Sequence, residues 1–208
     1  MEPTIRWSSE IPTKIKKRQN RPVIGLDRDG VLNVDKGTYI GNPADFEPIP
    51  NSLEAVAKLR YEGYKIVVIT NQGGIAKGIV TQQQVEQVNH RMFELLGQAG
   101  CPSIDGLYFS ESSSKQDMYA KPNTGMFKRA ETEIPGIKFA HGGYYVGDKI
   151  SDLKAAQKIG AKPILVRTGH GKETEELLNK RFTYRPLKKV TLVFDDLADF
   201  VKYLDSKD

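Results

Sequence analysis

One cysteine in 208 residues, Cys101, excludes an internal disulfide and any zinc site built from several cysteines. No apolar run is long enough to cross a bilayer, and the opening MEPTIRWSSE lacks the apolar centre of a signal peptide. The expectation is a cytoplasmic location with no membrane partner. Internal repeats and low-complexity segments are also missing, which leaves an ordinary globular composition. The net charge is +5, and much of the basic excess falls on Lys14, Lys16, Lys17, Arg18 and Arg21. Residues 1–21 show no periodicity and are expected to form an irregular basic arm, first of all a solvated surface. Residues 22–208 suit one domain.

What is present is a set of short apolar runs alternating with amphipathic segments. Val23, Ile24 and Leu26 read as a buried strand closed by a turn signal. Lys65–Thr70, Gly106–Phe109, Tyr144–Gly147 and Ile164–Val166 read the same way, with Thr191–Phe194 as an edge strand. Between them, Asn51 with Glu54 and Thr81 with Gln84 match the capping-box spacing before apolar stripes. Further helices are expected from near Thr124, over Ser151–Ile159 and over Leu197–Leu204. Strand and helix in alternation imply βαβ units, hence an α/β fold: a doubly wound parallel sheet with right-handed crossovers. No large insertion follows the second strand, so any cap over the sheet is minimal.

In a parallel sheet all the carboxyl ends lie on one side, where open α/β folds place their ligands. The polar residues at those ends are Asp27 and Asp29, then Thr70 and Asn71, then Asp148, with Lys121 entering before a helix. Each has a bland alternative: the D-x-D-G stretch a hairpin turn, Thr70 a strand cap, Lys121 a solvated lysine, Asp148 a helix cap. Their arrival at successive strand ends favours a shared site. Arg28, between the two aspartates, is expected by alternation to point away from them.

These residues resemble the haloacid dehalogenase superfamily of phosphohydrolases, with D-R-D-G-V, I-T-N, K-P and G-D-K-I-S-D as its four motifs in order. The N-Q-G-G-I-A-K-G loop is most similar to the heptose bisphosphate and histidinol phosphate phosphatase branch. The resemblance implies a Mg2+-dependent phosphatase acting on a small-molecule phosphate ester, a sugar phosphate or bisphosphate. In it Asp27 is the nucleophile and Asp29 the general acid and base, its pKa raised by neighbouring carboxylates. Asp27, Asp148 and the backbone carbonyl of Asp29 bind the metal. Thr70, Asn71 and Lys121 hold the phosphoryl group. Asp35, Lys36, Gly37 and Thr38 form the substrate loop, and Gln72 and Gly73 extend the phosphate-side wall. Asp152, one helical turn after Asp148, either supports the metal or Lys121 or is an exposed helix aspartate.

The pattern breaks in two places. Ser110–Ala120 carries no Cys or His where the branch commonly binds zinc, so no structural zinc is expected. Ala120 stands where the heptose bisphosphate enzymes usually carry an arginine. A nucleic acid 3′-phosphatase is the nearest rival, and a non-catalytic phosphate-binding protein the rival of another class.

Overall fold

The apolar runs become six parallel strands in the order β3-β2-β1-β4-β5-β6 in the computed structural model, which describes residues 21–207. The strands are β1 (Val23–Leu26), β2 (Lys65–Asn71), β3 (Gly106–Ser110), β4 (Tyr144–Gly147), β5 (Lys162–Val166) and β6 (Leu192–Phe194). The helices are α1 (Ser52–Tyr61), α2 (Gln82–Gln98), α3 (Gly125–Glu133), α4 (Ile150–Ile159), α5 (Gly171–Lys180), α6 (Arg185–Val190) and α7 (Leu197–Asp205). The expected doubly wound sheet is therefore present, with no separate cap between β2 and α2. The basic arm expected over residues 1–21 lies outside the described residues except for Arg21. Among the described residues no helix is long and apolar enough to cross a membrane.

Alternation along the strands builds two cores. Ile24, Leu26, Ile66, Val68, Leu107 and Phe109 face α1, α2 and α7, whereas Val67, Ile69, Tyr108 and Tyr145 face α3 and α4. The α2 capping box forms as read: Gln84 N–H donates to Thr81 Oγ1 at 3.1 Å and Thr81 N–H to Gln84 Oε1 at 2.8 Å. The one expected at Asn51 does not, because Asn51 adopts φ 62° and its side chain caps nothing. Helices α5 and α6 were not expected; α5 buries little more than Thr174 and Leu178, too sparse a stripe to stand out in so charged a segment.

Strand order reverses between β1 and β4, which pair with Leu26 opposite Val146. Asp27 and Asp148 leave the sheet side by side at that switch point, where open α/β sheets form a crevice.

Candidate active site

Past Leu26 the chain stays tied to the sheet for one residue, Asp27 N–H donating to Val146 O at 2.9 Å, and then turns. The Arg28 carbonyl accepts from Leu32 N–H at 2.8 Å and Asn33 N–H at 3.2 Å, closing a tight turn through Gly30 at φ +85°. Gly30 is needed twice over: its conformation suits glycine, and a Cβ there would collide with Asp148. Gly169 lies against Gly30 and presses on the same carboxylate oxygen, so Asp148 packs directly on two neighbouring glycines.

Asp27, Asp148 and Asp152 are buried and offer carboxylate oxygens within 4.8 Å of one another. Asp148 Oδ2 accepts from His170 N–H at 2.8 Å, while Oδ1 is buried with no hydrogen-bond partner. Burial first, then the Asp152 and Asp27 charges, against the pull of Lys149, hold the Asp148 carboxyl well above the ordinary range. An unpartnered buried carboxylate oxygen in a triad of carboxylates suits a hard divalent cation such as Mg2+.

Lys121 is the counter-charge. Its Nζ lies 2.9 Å from Asp27 Oδ1 and 2.8 Å from Asp152 Oδ1, and donates to Ile69 O at 3.1 Å and Tyr145 Oη at 2.9 Å. Burial works against its charge, but Asp152 and Asp27 outweigh it and keep the ammonium protonated. Asp152 is thus no exposed helix aspartate: it pairs with Lys121 and its Oδ2 accepts from Lys149 N–H at 2.9 Å, beside Asp27 and Asp148. Tyr145, which sequence reasoning missed, reaches Lys121 because Gly25 leaves room for its ring; a Cβ on Gly25 would lie 2.6 Å from Tyr145 Cδ2.

Asp29 stands apart from the metal triad. Its carboxylate accepts from Arg28 Nη2 at 3.1 Å, Asn33 Nδ2 at 2.9 Å and Gln72 Nε2 at 2.8 Å. Two expectations change here. Arg28 does not point away from the aspartates: β1 has already ended, alternation no longer applies, and the guanidinium folds back onto Asp29 with Nη1 donating to Asn89 Oδ1 at 2.8 Å. Nor is the Asp29 carboxyl raised. Burial acts to raise it, but Arg28 and the Asn33 and Gln72 amides outweigh burial and hold it below the ordinary range.

The phosphate-side wall follows β2. Gln72 Nε2 donates to Thr70 Oγ1 at 3.0 Å, and the Asn71 amide clamps the Lys121 backbone in both directions, Nδ2 to Lys121 O at 3.0 Å and Lys121 N–H to Oδ1 at 2.9 Å. That amide role was missed, although an Asn at a strand end is a fair signal for it. A cavity of about 330 Å3 outside Asp29 is lined by Asp35, Gly37, Thr38, Gln72, Lys149 and His170, among others. Lys36 is not on its wall and pairs instead with Glu47 at 3.4 Å. Gly73 backs onto Ser113. Lys149 Nζ binds Asp35 Oδ2 at 2.8 Å and His170 Nε2 lies 3.4 Å from the same oxygen; no sequence spacing joins these three.

Residues 22–163 match the family model described as polynucleotide kinase 3 phosphatase. The chain is similar to the D-glycero-beta-D-manno-heptose-1,7-bisphosphate 7-phosphatase of Pseudomonas aeruginosa, 37% identical over 86% of this chain and 95% of that protein. The Neisseria meningitidis serogroup B enzyme of that name is 35% identical over 88% and 94%. Among solved structures, the D,D-heptose 1,7-bisphosphate phosphatase from B. bronchiseptica, complexed with magnesium and phosphate, superposes with a TM-score of 0.79 at 30% identity, covering 90% of this chain and all of that one. The Burkholderia thailandensis enzyme gives 0.65 at 31%, over 89% and 99%. The chain belongs to the haloacid dehalogenase superfamily, as a phosphatase of the branch that holds these heptose bisphosphate enzymes.

Proposed function

We propose that this chain is a Mg2+-dependent phosphomonoesterase that transfers the phosphoryl group to Asp27 and then to water, and that its substrate is a sugar bisphosphate of the heptose 1,7-bisphosphate kind. The catalytic unit is residues 22–208 acting as one domain, with the basic arm outside its chemistry. The observation that carries the reading is the buried Asp27, Asp148 and Asp152 triad with its unpartnered Asp148 oxygen, set beside Lys121.

Mg2+ would be held by Asp27, Asp148 and the Asp29 carbonyl, with Asp152 in support, and would offset the repulsion between a phosphate dianion and the Asp27 carboxylate. Both Arg28 N–H and Lys121 Nζ engage Asp27 Oδ1, at 2.8 Å and 2.9 Å, which leaves Oδ2 as the attacking oxygen. Thr70, the Asn71 backbone N–H and Lys121 take up charge on the phosphoryl oxygens. Asp29 gives a proton to the leaving oxygen and takes one from the attacking water. Its resting state is ionised, so it is ready for the second step and must be loaded with a proton for the first; Gln72 and Arg28 set that balance. Asp35, Gly37, Thr38 and Gln72 contact the rest of the substrate.

Hydrolysis of an aryl phosphate by wild type and Asp27→Asn, with Mg2+ and after chelation, tests the mechanism. The expected result is Mg2+-dependent turnover that the variant lacks; equal rates would remove the nucleophile assignment. The family model's description favours a second reading, a nucleic acid 3′-phosphatase. Comparing kcat/KM for heptose bisphosphate, histidinol phosphate and a 3′-phosphorylated oligonucleotide separates the two, and a salt-sensitive preference for the oligonucleotide selects the second.

A further inference from the structure

Helix α2 buries one polar side chain in an otherwise apolar stripe. Asn89 is fully inaccessible, and its neighbours one turn away on the helix, Val85, Met92 and Phe93, are buried apolar groups of the core. Its Oδ1 accepts from Arg28 Nη1 at 2.8 Å, which fixes the orientation of the amide, because a guanidinium only donates. The Nδ2 of that amide is left buried with no hydrogen-bond partner. An unpaired buried donor costs about 1–3 kcal/mol, which an apolar side chain at this position would avoid. What offsets it is the bond to Arg28.

Arg28 is equally buried and is held between two partners. While Nη1 goes to Asn89, Nε and Nη2 reach Asp29 Oδ1 at 3.3 and 3.2 Å, and Nη2 also reaches Oδ2 at 3.1 Å. A planar guanidinium cannot turn at one edge without turning at the other. Asn89 thus sets the plane in which Arg28 meets the Asp29 carboxylate, across 61 residues of sequence. The Asn33 and Gln72 amides hold the same carboxylate independently, so loss of Asn89 would tilt Asp29 rather than release it.

We propose that Asn89 is a positioning residue for the proton transfer by Asp29: through Arg28 it keeps that carboxyl aimed at the departing ester oxygen. This rests on the phosphatase reading, in which the ester P–O bond breaks as the bond from Asp27 to phosphorus forms, and the electron pair left on the ester oxygen takes the proton of Asp29. A sugar oxygen needs that proton, whereas a p-nitrophenolate leaves without it. The effect of Asn89 therefore depends on the leaving group, which a purely structural role would not produce.

The test compares kcat/KM of wild type and Asn89→Leu on heptose 1,7-bisphosphate and on p-nitrophenyl phosphate, with thermal melting as a folding control. This ratio reports the steps up to phosphoryl transfer and leaves out the later attack of water, which the two esters share. The expected result for Asn89→Leu is a loss of about tenfold with the sugar ester and less than about twofold with the aryl ester, as for a misplaced general acid. In an Arg28→Lys background, where the ammonium cannot bridge both partners, Asn89→Leu should change the ratio of the two esters little further. An equal loss on both esters, no loss on either, or an Asn89→Leu effect undiminished in the Arg28→Lys background overturns the proposal. Should Asn89→Leu fail to fold, Asn89→Ala removes the same acceptor and is decided by the same ratio. A wild type that hydrolyses neither ester would instead overturn the underlying phosphatase reading.

Discussion

The floor of the site and its mouth are built on opposite principles. On the floor, Asp27, Lys121, Asp148 and Asp152 are nearly inaccessible and come from two strand ends, a loop and a helix, with Lys121 pairing with both Asp27 and Asp152. The mouth, residues 35–39 and 111–119, consists of loops whose side chains are exposed or half-buried, seated on two glycines, Gly73 and Gly74. Buried charges are tolerated only when paired or metal-bound, so removing a partner of a buried pair on the floor leaves the other charge uncompensated. Loop residues carry no such constraint. In the proposed reading, the floor sets the reaction and the mouth the substrate.

The comparison breaks first at Lys121. Lys121→Met removes the cation shared by Asp27 and Asp152 while keeping volume, and should cost about 3–5 kcal/mol of stability as well as at least about a hundredfold in kcat. Denaturant unfolding checks the first and aryl phosphate turnover the second; unchanged stability would show that the floor is not electrostatically bound together. Asp148→Asn should separate stability from activity. Without metal the Asp148 carboxyl is crowded by Asp152 and Asp27, so the amide should be more stable to unfolding, by about 1–3 kcal/mol. Added Mg2+ at a hundred times its Kd should stabilise wild type by about 3 kcal/mol and the variant far less. A thermal shift with and without Mg2+ decides it.

The same contrast governs what the sequence discloses. Strand periodicity and parallel topology make the floor legible, because residues at successive strand ends must converge whatever the loops do; Asp27, Thr70 and Asp148 were placed together on that ground, with Lys121 from the loop before α3. Arg28 was misread because alternation was carried one residue past the end of β1. Tyr145 was missed because a tyrosine in a buried strand looks like core, and only Gly25 shows that its hydroxyl reaches Lys121. The meeting of Asp35 with Lys149 and His170 depends on how three loops lie together, which no local spacing encodes. Lys36, in the same loop as Asp35, turns to Glu47 for the same reason.

A mouth variant should change selection with little effect on stability. Gly74→Ala places a methyl against the Tyr39 ring, 2.6 Å from Cγ, in a loop free to yield. An overpacking cost of about 1–3 kcal/mol relieved by swinging Tyr39 outward should appear as roughly a tenfold loss of kcat/KM with bisphosphate, and a melting temperature within about 2 °C of wild type. A large drop in melting temperature would mean that the mouth is as rigid as the floor.

The smallest effect is expected at Asp35. Burial acts to raise its carboxyl, but the Lys149 ammonium and the Gly37 N–H, which donates to Oδ1 at 2.9 Å, outweigh burial and hold it below the usual range. A carboxyl depressed in the folded state contributes stability above its unfolded pKa and loses it as pH falls through the folded value. Lys149 is partly exposed, so the pair is screened, and Asp35→Asn should cost less than about 1 kcal/mol at pH 7. The gap to wild type should close as pH drops below about 4, the unfolded carboxylate value. Paired denaturation curves at neutral and acid pH give the sign; a gap that widens in acid would mean that Asp35 is held in its neutral form and that its pairing with Lys149 does not set its protonation.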